Sequence, residues 1–394
     1  MIGLPMLTRI LSSLLLALCG AGLLMAWVTD PFIWYIFEAL VFSVWIAWAA
    51  AWAMGKLRGT WSWLFLPFLA VIAWGVLQLR WSVYAFATET DAIRWGTYFA
   101  VFFLAVQLFG DEGSGRIFRR IFTVYALLLA VVSVFQYFLG NGKIYWLFQT
   151  QELAGLGPFL NRDHYASFVA LVIPAAAVEM LRSPRQRWFF ALTTAVLYAS
   201  VIAGASRAGF VLLTLELVLL ILILGFSGRT VLAVVSLIVV FGFVVGWDTL
   251  YERLQAPDPY AGRREVAAAT VQMIESNPWR GFGLGTWTEV YPAYAGKDFG
   301  VFVNAAHNDW LQWGADGGIP MTICLLVLFG GACLLVQRVP WALGVPIVFL
   351  HGLIDFPMQG RFLPAIVFLV LGIAVRCSLN YRRAESGRPS TGAR

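Results

Sequence analysis

Four short stretches carry the residues whose types and spacing could do chemistry. Ser206-Arg207-Ala-Gly209 separates two apolar runs, and Gly262-Arg263-Arg264-Glu265 opens a helix-like pattern. Gly281-Phe-Gly-Leu-Gly285 supplies three glycines, and Asn304-Ala-Ala-His307-Asn308-Asp309 holds the one histidine of the longest polar segment. Guanidinium groups suit phosphate, because they are planar, permanently charged and present paired donors in a fixed fork. An imidazole beside them can take up a proton near neutral pH. Each stretch also has a plainer reading. Arg207 could snorkel and only anchor a membrane interface, although Ser206, Ala208 and Gly209 leave room for a headgroup at its side. Arg263 and Arg264 could be solvated, and a lone histidine is usually structural. The glycine run follows no strand and precedes no Gly-Lys-Ser/Thr, so a nucleotide cradle is unsupported. Tight turning of the backbone against another element is the expectation there.

The elements that position these residues follow from periodicity. Val266, Ala269, Thr270, Met273 and Ile274 recur at helical spacing, and Asn277-Pro278 ends the run. This predicts an amphipathic helix lying on a membrane surface, with Arg263 and Arg264 at its N-terminal end. Two cations there oppose the positive end of the macrodipole, and Glu265 offsets them only in part. A bound phosphate would reverse that penalty and collect the unpaired N–H groups. After His307-Asn308-Asp309, the stretch from Trp310 to Pro320 reads as a helical turn or two re-entering the bilayer.

Sixty per cent hydrophobic and 12% charged residues exclude a soluble globule, since soluble chains carry about 25% charged residues. A helical span needs about 20 mostly apolar residues. By that measure an all-α polytopic membrane protein with about twelve spans is expected, near 8–28, 33–55, 61–80, 94–110, 117–139, 162–181, 187–204, 208–226, 229–247, 318–337, 339–354 and 362–380. Continuous apolar runs, rather than alternating ones, exclude a β-barrel. The implied divisions are nine spans in 1–247, a large extracytoplasmic loop with amphipathic helices in 248–317, three spans in 318–380, and a disordered basic tail in 381–394. Basic residues concentrate in alternate connections, at Lys56 and Arg58, Arg116 to Arg120, Arg182 to Arg187, Arg229, Arg338 and the tail. The positive-inside rule then puts both termini in the cytoplasm and the large loop outside. The net charge of +6 reports this topology and requires no nucleic acid. Cys19, Cys324, Cys333 and Cys377 sit in or beside spans without metal-ligand spacing, so they read as packing residues. No His, Cys and carboxylate set has ligand spacing, so neither metal nor cofactor is expected. Two smaller outer connections add Arg162, beside Asn161, Asp163 and His164, and Arg361, after His351, Asp355, Pro357 and Gln359.

The order of Ser206-Arg207-Ala-Gly209, Gly262-Arg263, Asn277-Pro278-Trp-Arg-Gly281-Phe-Gly283-Leu-Gly285 and Ala306-His307-Asn308-Asp309 resembles the O-antigen ligase and Wzy-type polymerase superfamily. The resemblance covers about Asn161 to Pro320. It implies a metal-independent glycosyltransferase of GT-C type in a bacterial inner membrane. The donor would be an undecaprenyl-pyrophosphate-linked glycan, and the acceptor a lipid A-core sugar or another carrier-linked repeat. Carried over, Arg207 and Arg263 would hold the pyrophosphate and His307 would activate or orient the acceptor hydroxyl. Arg162, Ser206, Arg264, Asn308, Asp309 and Arg361 complete the expected substrate-binding set. Family members often carry Glu where this chain has Asp316 and Trp where it has Ala267. A transporter or flippase of lipid-linked glycans is the competing expectation, with Glu38 and Glu216 as its in-span acids.

Overall fold

The computed structural model describes residues 4–110, 113–149, 155–255 and 261–386, and these are almost entirely helical. Helices α1 (Leu4–Leu24), α2 (Pro31–Ala53), α3 (Phe65–Gln78), α4 (Ala85–Leu108) and α5 (Ser114–Leu139) precede a small antiparallel hairpin, β1 (Lys143–Ile144) and β2 (Phe148–Gln149). Next come α6 (Arg162–Arg182), α7 (Arg187–Ala203), α8 (Arg207–Leu224) and α9 (Gly228–Val245). The polar segment folds as α10 (Asp248–Gln255), α11 (Ala261–Ser276) and α12 (Trp287–Val290). The chain finishes with α13 (Asp309–Val336), α14 (Gly344–His351) and α15 (Phe362–Ser386).

Each of the twelve expected apolar runs contains a helix, so the chain is an all-α polytopic membrane protein. Eight helices, α1, α2, α5, α6, α8, α9, α13 and α15, are long and apolar enough to cross a bilayer by length and composition. The other four fall short of that measure. The α3 helix has 14 residues, α14 has 8 and α7 has 17, while α4 carries Glu89, Asp91 and Arg94 in its first half. The most apolar windows of α6 and α15 are 89% and 83% buried, against 17% for α9, so α6 and α15 are the axis of the bundle and α9 its rim. Side chains cap the N-termini of α2, α6, α8, α9 and α13, through Asp30, Asn161, Ser206, Ser227 and Asn308. Each supplies an acceptor to a backbone N–H that the helix leaves unpaired.

The two faces of the bundle differ. On one, Arg119 and Arg120 share Glu179 at 2.6 and 3.0 Å, Arg182 donates to the Tyr381 hydroxyl, and Asn380 donates to the Gly110 carbonyl. Arg338 lines a cavity there with Arg182 and Tyr381. The opposite face carries the polar segment, fastened by backbone. Val83 N–H donates to the Phe282 carbonyl at 3.0 Å, and the Gln78 amide donates to the carbonyls of Arg280 and Asp316 at 2.7 and 2.9 Å. Phe282 and Gly283 donate to Ala315 and Asp316, and Ile319 donates to Pro278.

Three expectations are corrected here. The α13 helix begins at Asp309 rather than near 318, and Gly318 (φ 67°, ψ −170°) kinks it just before Pro320. The kink lets the 277–283 backbone lie against the turn, where a methyl on Gly318 would stand 2.8 Å from the Pro278 and Trp279 carbonyl oxygens. The α11 helix does not rest its apolar side on a membrane. Val266, Ala269 and Met273 pack on Trp287, Val290, Tyr291, Ala306 and Ala315, and Trp287 Nε1 donates to Thr270 at 3.1 Å. Finally, α15 continues to Ser386, past the expected start of the tail at 381, while residues 387–394 lie outside the described residues.

Gly281 has φ +62° and no room for a Cβ against the Asp316 carbonyl. Gly281→Ala should therefore cost at least the roughly 1–3 kcal/mol of a strained backbone. The helical Gly330 has open space around it. Gly330→Ala should stabilise by about 0.5–1 kcal/mol. Thermal unfolding followed by tryptophan fluorescence compares them, and equal midpoints would overturn this account of the glycine run.

Candidate active site

The starts of α6, α8, α11 and α13, with the connector between α14 and α15, bring their side chains together on the face that carries the polar segment. Ser206, the N-cap of α8, accepts from Gly209 N–H at 3.0 Å and donates its hydroxyl to Asp163 at 2.5 Å. Asp163 lies in the first turn of α6, where a carboxylate complements the helix dipole. Its other oxygen faces the Arg263 guanidinium at 3.4 Å. Arg263, from the first turn of α11, also donates to the Ile354 carbonyl at 2.8 Å and reaches Asp355 at 3.8 Å. Asp355 is fully buried and faces His307 Nδ1, also at 3.8 Å. One guanidinium and one imidazole thus converge on the Asp355 carboxylate, although 263, 307 and 355 are remote in sequence.

His307 is held in a strained backbone. Its φ of +52° lies in the left-handed region, costly for a residue with a Cβ. Its neighbours enforce the conformation. Ala306 N–H donates to Gln312 at 3.0 Å, while Asn308 caps α13 through Leu311 N–H and donates to the Leu353 carbonyl at 2.7 Å. The imidazole packs edge-on against Phe356, whose ring centroid is 4.8 Å away, and His164 packs on the same ring at 4.9 Å. Ala205, the residue before Ser206, is likewise at φ +52°.

The remaining expected residues divide. Arg207 donates to the Arg253 carbonyl of α10 at 2.9 Å, and Arg162 approaches the Gly204 carbonyl at 3.4 Å, so both border the same connection. Arg264 is exposed on α11. Asp309 is not presented to the site. It is fully buried, its carboxylate taken by Met358 N–H and the Gln359 amide at 3.0 Å each, and it braces the connector. Arg361, the last residue of that connector, points away from the cluster and donates to the Thr29 carbonyl at 2.9 Å. Asp316, inside the bundle, faces the N–H groups of Gly285, Thr286 and Trp287 at the start of α12. The glycine run therefore packs against helix backbone, as its lack of a preceding strand suggested.

Asp163, His351 and Asp355 offer ligand atoms within 4.8 Å of one another, a set that their wide sequence separation concealed. The Arg263 guanidinium already lies against both carboxylates, and Ser167 Oγ bonds His351 Nδ1 at 2.7 Å. A divalent cation would have to share those carboxylates with a permanent positive charge. Sequence reasoning gave none of the three a role. The available signal was that each acid borders an apolar run on the side carrying the polar segment.

Residues 189–326 match the family model described as O-antigen ligase. Over that segment, about a third of its length, the chain is similar to the O-antigen ligase family. No curated protein matches the sequence. The matched segment contains Arg207, Arg263, Arg264, His307, Asn308 and Asp309. Asp163, His351 and Asp355 lie outside it, so the carboxylates facing Arg263 come from flanking segments, α6 and the connector after α14.

Asp163 joins two of these motifs, so Asp163→Asn should weaken the hold on Arg263 and lower stability by about 1–3 kcal/mol. Arg264→Ala, at an exposed position, should change it by no more than about 0.5 kcal/mol. Unfolding midpoints in lipid nanodiscs test the contrast, and an Asp163→Asn variant as stable as the unmodified protein would remove Asp163 from the organising role.

Proposed function

We propose that this protein transfers a glycan from an undecaprenyl-pyrophosphate carrier to an acceptor sugar at the periplasmic face of a bacterial inner membrane. The observation that carries the reading is the meeting of Arg263 and His307 on Asp355, with Ser206-Arg207 tied to the same cluster through Asp163. Breaking the bond between sugar and pyrophosphate leaves negative charge on the leaving group, which Arg207 and Arg263 stabilise. His307 takes the proton of the attacking hydroxyl, and Asp355 holds the imidazole in orientation. The carrier tail stays in the lipid beside the bundle, so the donor brings its own activation and needs no nucleotide.

Charge stabilisation in this scheme is assigned to guanidinium groups and not to a metal, because Arg263 stands where a cation would bind Asp163 and Asp355. The ligase form, with a lipid A-core acceptor, is favoured over the polymerase form. A transporter or flippase of lipid-linked glycans could share the cationic site but would not require a histidine within reach of a buried carboxylate. Of the acids that reading would use, Glu38 is held by Trp34 and Thr97, and Glu216 is fully buried in α8.

His307→Ala should reduce transfer by about 10²–10⁴-fold while donor binding is retained. A flippase would be little affected. Arg207→Ala and Arg263→Ala should each weaken binding of an undecaprenyl-pyrophosphate analogue by roughly tenfold or more, and unchanged affinity in both removes them from the site. Transfer should survive EDTA; loss of activity restored by a single divalent ion would instead place a metal at Asp163, His351 and Asp355.

A further inference from the structure

A cavity opens at the Arg361 end of the connector between α14 and α15. It encloses about 290 Å³ between the start of α2, the start of α4 and the glycine run, and Arg361 closes one wall. Its polar lining is balanced, with Arg94 and Arg361 as cations and Asp91 and Glu289 as anions. Arg94 pairs with Asp91 along α4, and Arg361 uses one nitrogen on the Thr29 carbonyl. Burial first, and then the neighbouring Arg94 guanidinium, hold Arg361 below the ordinary arginine range, so the two cations are close. Aromatic rings make up much of the remaining wall: Tyr35, Tyr84 and Phe86 are 41%, 45% and 61% exposed, and the last two rings stand 6.1 Å apart.

This lining selects a ligand by exclusion. An anion entering the cavity meets two carboxylates, and a cation meets two guanidinium groups. An apolar tail would leave four charged groups poorly solvated. A ring of hydroxyl groups satisfies all four, because each hydroxyl both donates and accepts, giving to Asp91 and Glu289 and taking from Arg94 and Arg361. The C–H face of a pyranose has the shape and polarity to lie on an aromatic ring, whose face is negative. The volume falls at the small end of ligand pockets, suited to one or two sugar rings.

We propose that this cavity binds a neutral pyranose of the acceptor glycan. The assignment of that sugar to the acceptor rests on the transfer reading, because a donor sugar must stay attached beside Arg207 and Arg263. The binding step does not depend on it. Arg361 thereby acquires a partner different from the pyrophosphate, namely an acceptor sugar hydroxyl.

Saturation-transfer NMR on the full-length protein in lipid nanodiscs tests this, with maltotriose, lactose and chitobiose as probes. Glycoside detergents must be absent, since a maltoside headgroup would occupy the cavity. At least one probe should receive saturation on its ring protons. The signal should fall at least fivefold in Phe86→Ala and in Glu289→Gln, two exposed positions, and persist in His307→Ala. Silence from all three sugars, equal signals in the cavity variants, or displacement by inorganic phosphate overturns the proposal. In transfer assays, Phe86→Ala should raise the acceptor KM and leave the donor KM unchanged; a rise in the donor KM alone overturns the acceptor assignment. Sugar binding without transfer under any condition would sink the transfer reading and leave the cavity assignment standing.

Discussion

A single guanidinium holds the polar face of the bundle together. Arg263 spans the gap between Asp163, at the start of α6, and Asp355, after α14, and it donates to the Ile354 carbonyl as well. Two carboxylates beside one another inside a bundle repel and lose hydration, so they persist only where a positive charge compensates them. Because that charge comes from α11, the polar segment is an electrostatic component of the bundle and not an appendage. The placement of His307 follows from it, since the imidazole faces the same Asp355 carboxylate. The arrangement also resolves the difficulty of two cations in the first turn of α11, where the dipole disfavours them. For Arg263, the carboxylates of other helices supply the offset that Glu265 could give only in part.

Second in importance is the way backbone meets backbone. Gly281 and Gly283 both have positive φ, and neither has room for a side chain: Gly281 lies against the kink at Asp316 to Gly318, and Gly283 against Ser82 and Thr88. The resulting hydrogen bonds join the segment to α3 and α13 at several points. Trp287, fully buried, seats α11 on this platform through Thr270.

The sequence made much of this legible because the strongest signals are local. Apolar runs located the helices, since the bilayer imposes a length and forbids unpaired backbone. Val266, Ala269, Thr270 and Met273 are all buried, as their spacing required. What covers them was not legible, because an apolar face carries the same pattern whether it meets lipid or Trp287 and Ala315. Trp310 to Pro320 read as a helical turn or two, but its continuity with the following span was missed because Trp310 to Asp316 mixes polar and apolar residues, while the capping signal, Asn308, was assigned to substrate. Asp309 was misplaced for a related reason. A polar residue next to a histidine looks catalytic, and only tertiary structure reveals that Met358 and Gln359 enclose it. Asp163 and Asp355 were visible as polar residues flanking spans, but their proximity depends on how α6 and α14 pack, which no spacing encodes.

The many attachments of the polar segment constrain how anything reaches Arg263 and His307. A cover hinged at one end could swing aside, but this one is bonded to the rest of the bundle at Gln78 of α3, Val83 before α4 and Ile319 of α13, and is seated on Trp287. Traffic must therefore pass beneath a fixed roof. Long, greasy reactants would slide in between helices from the lipid, and water-borne ones would enter through standing gaps in the rim.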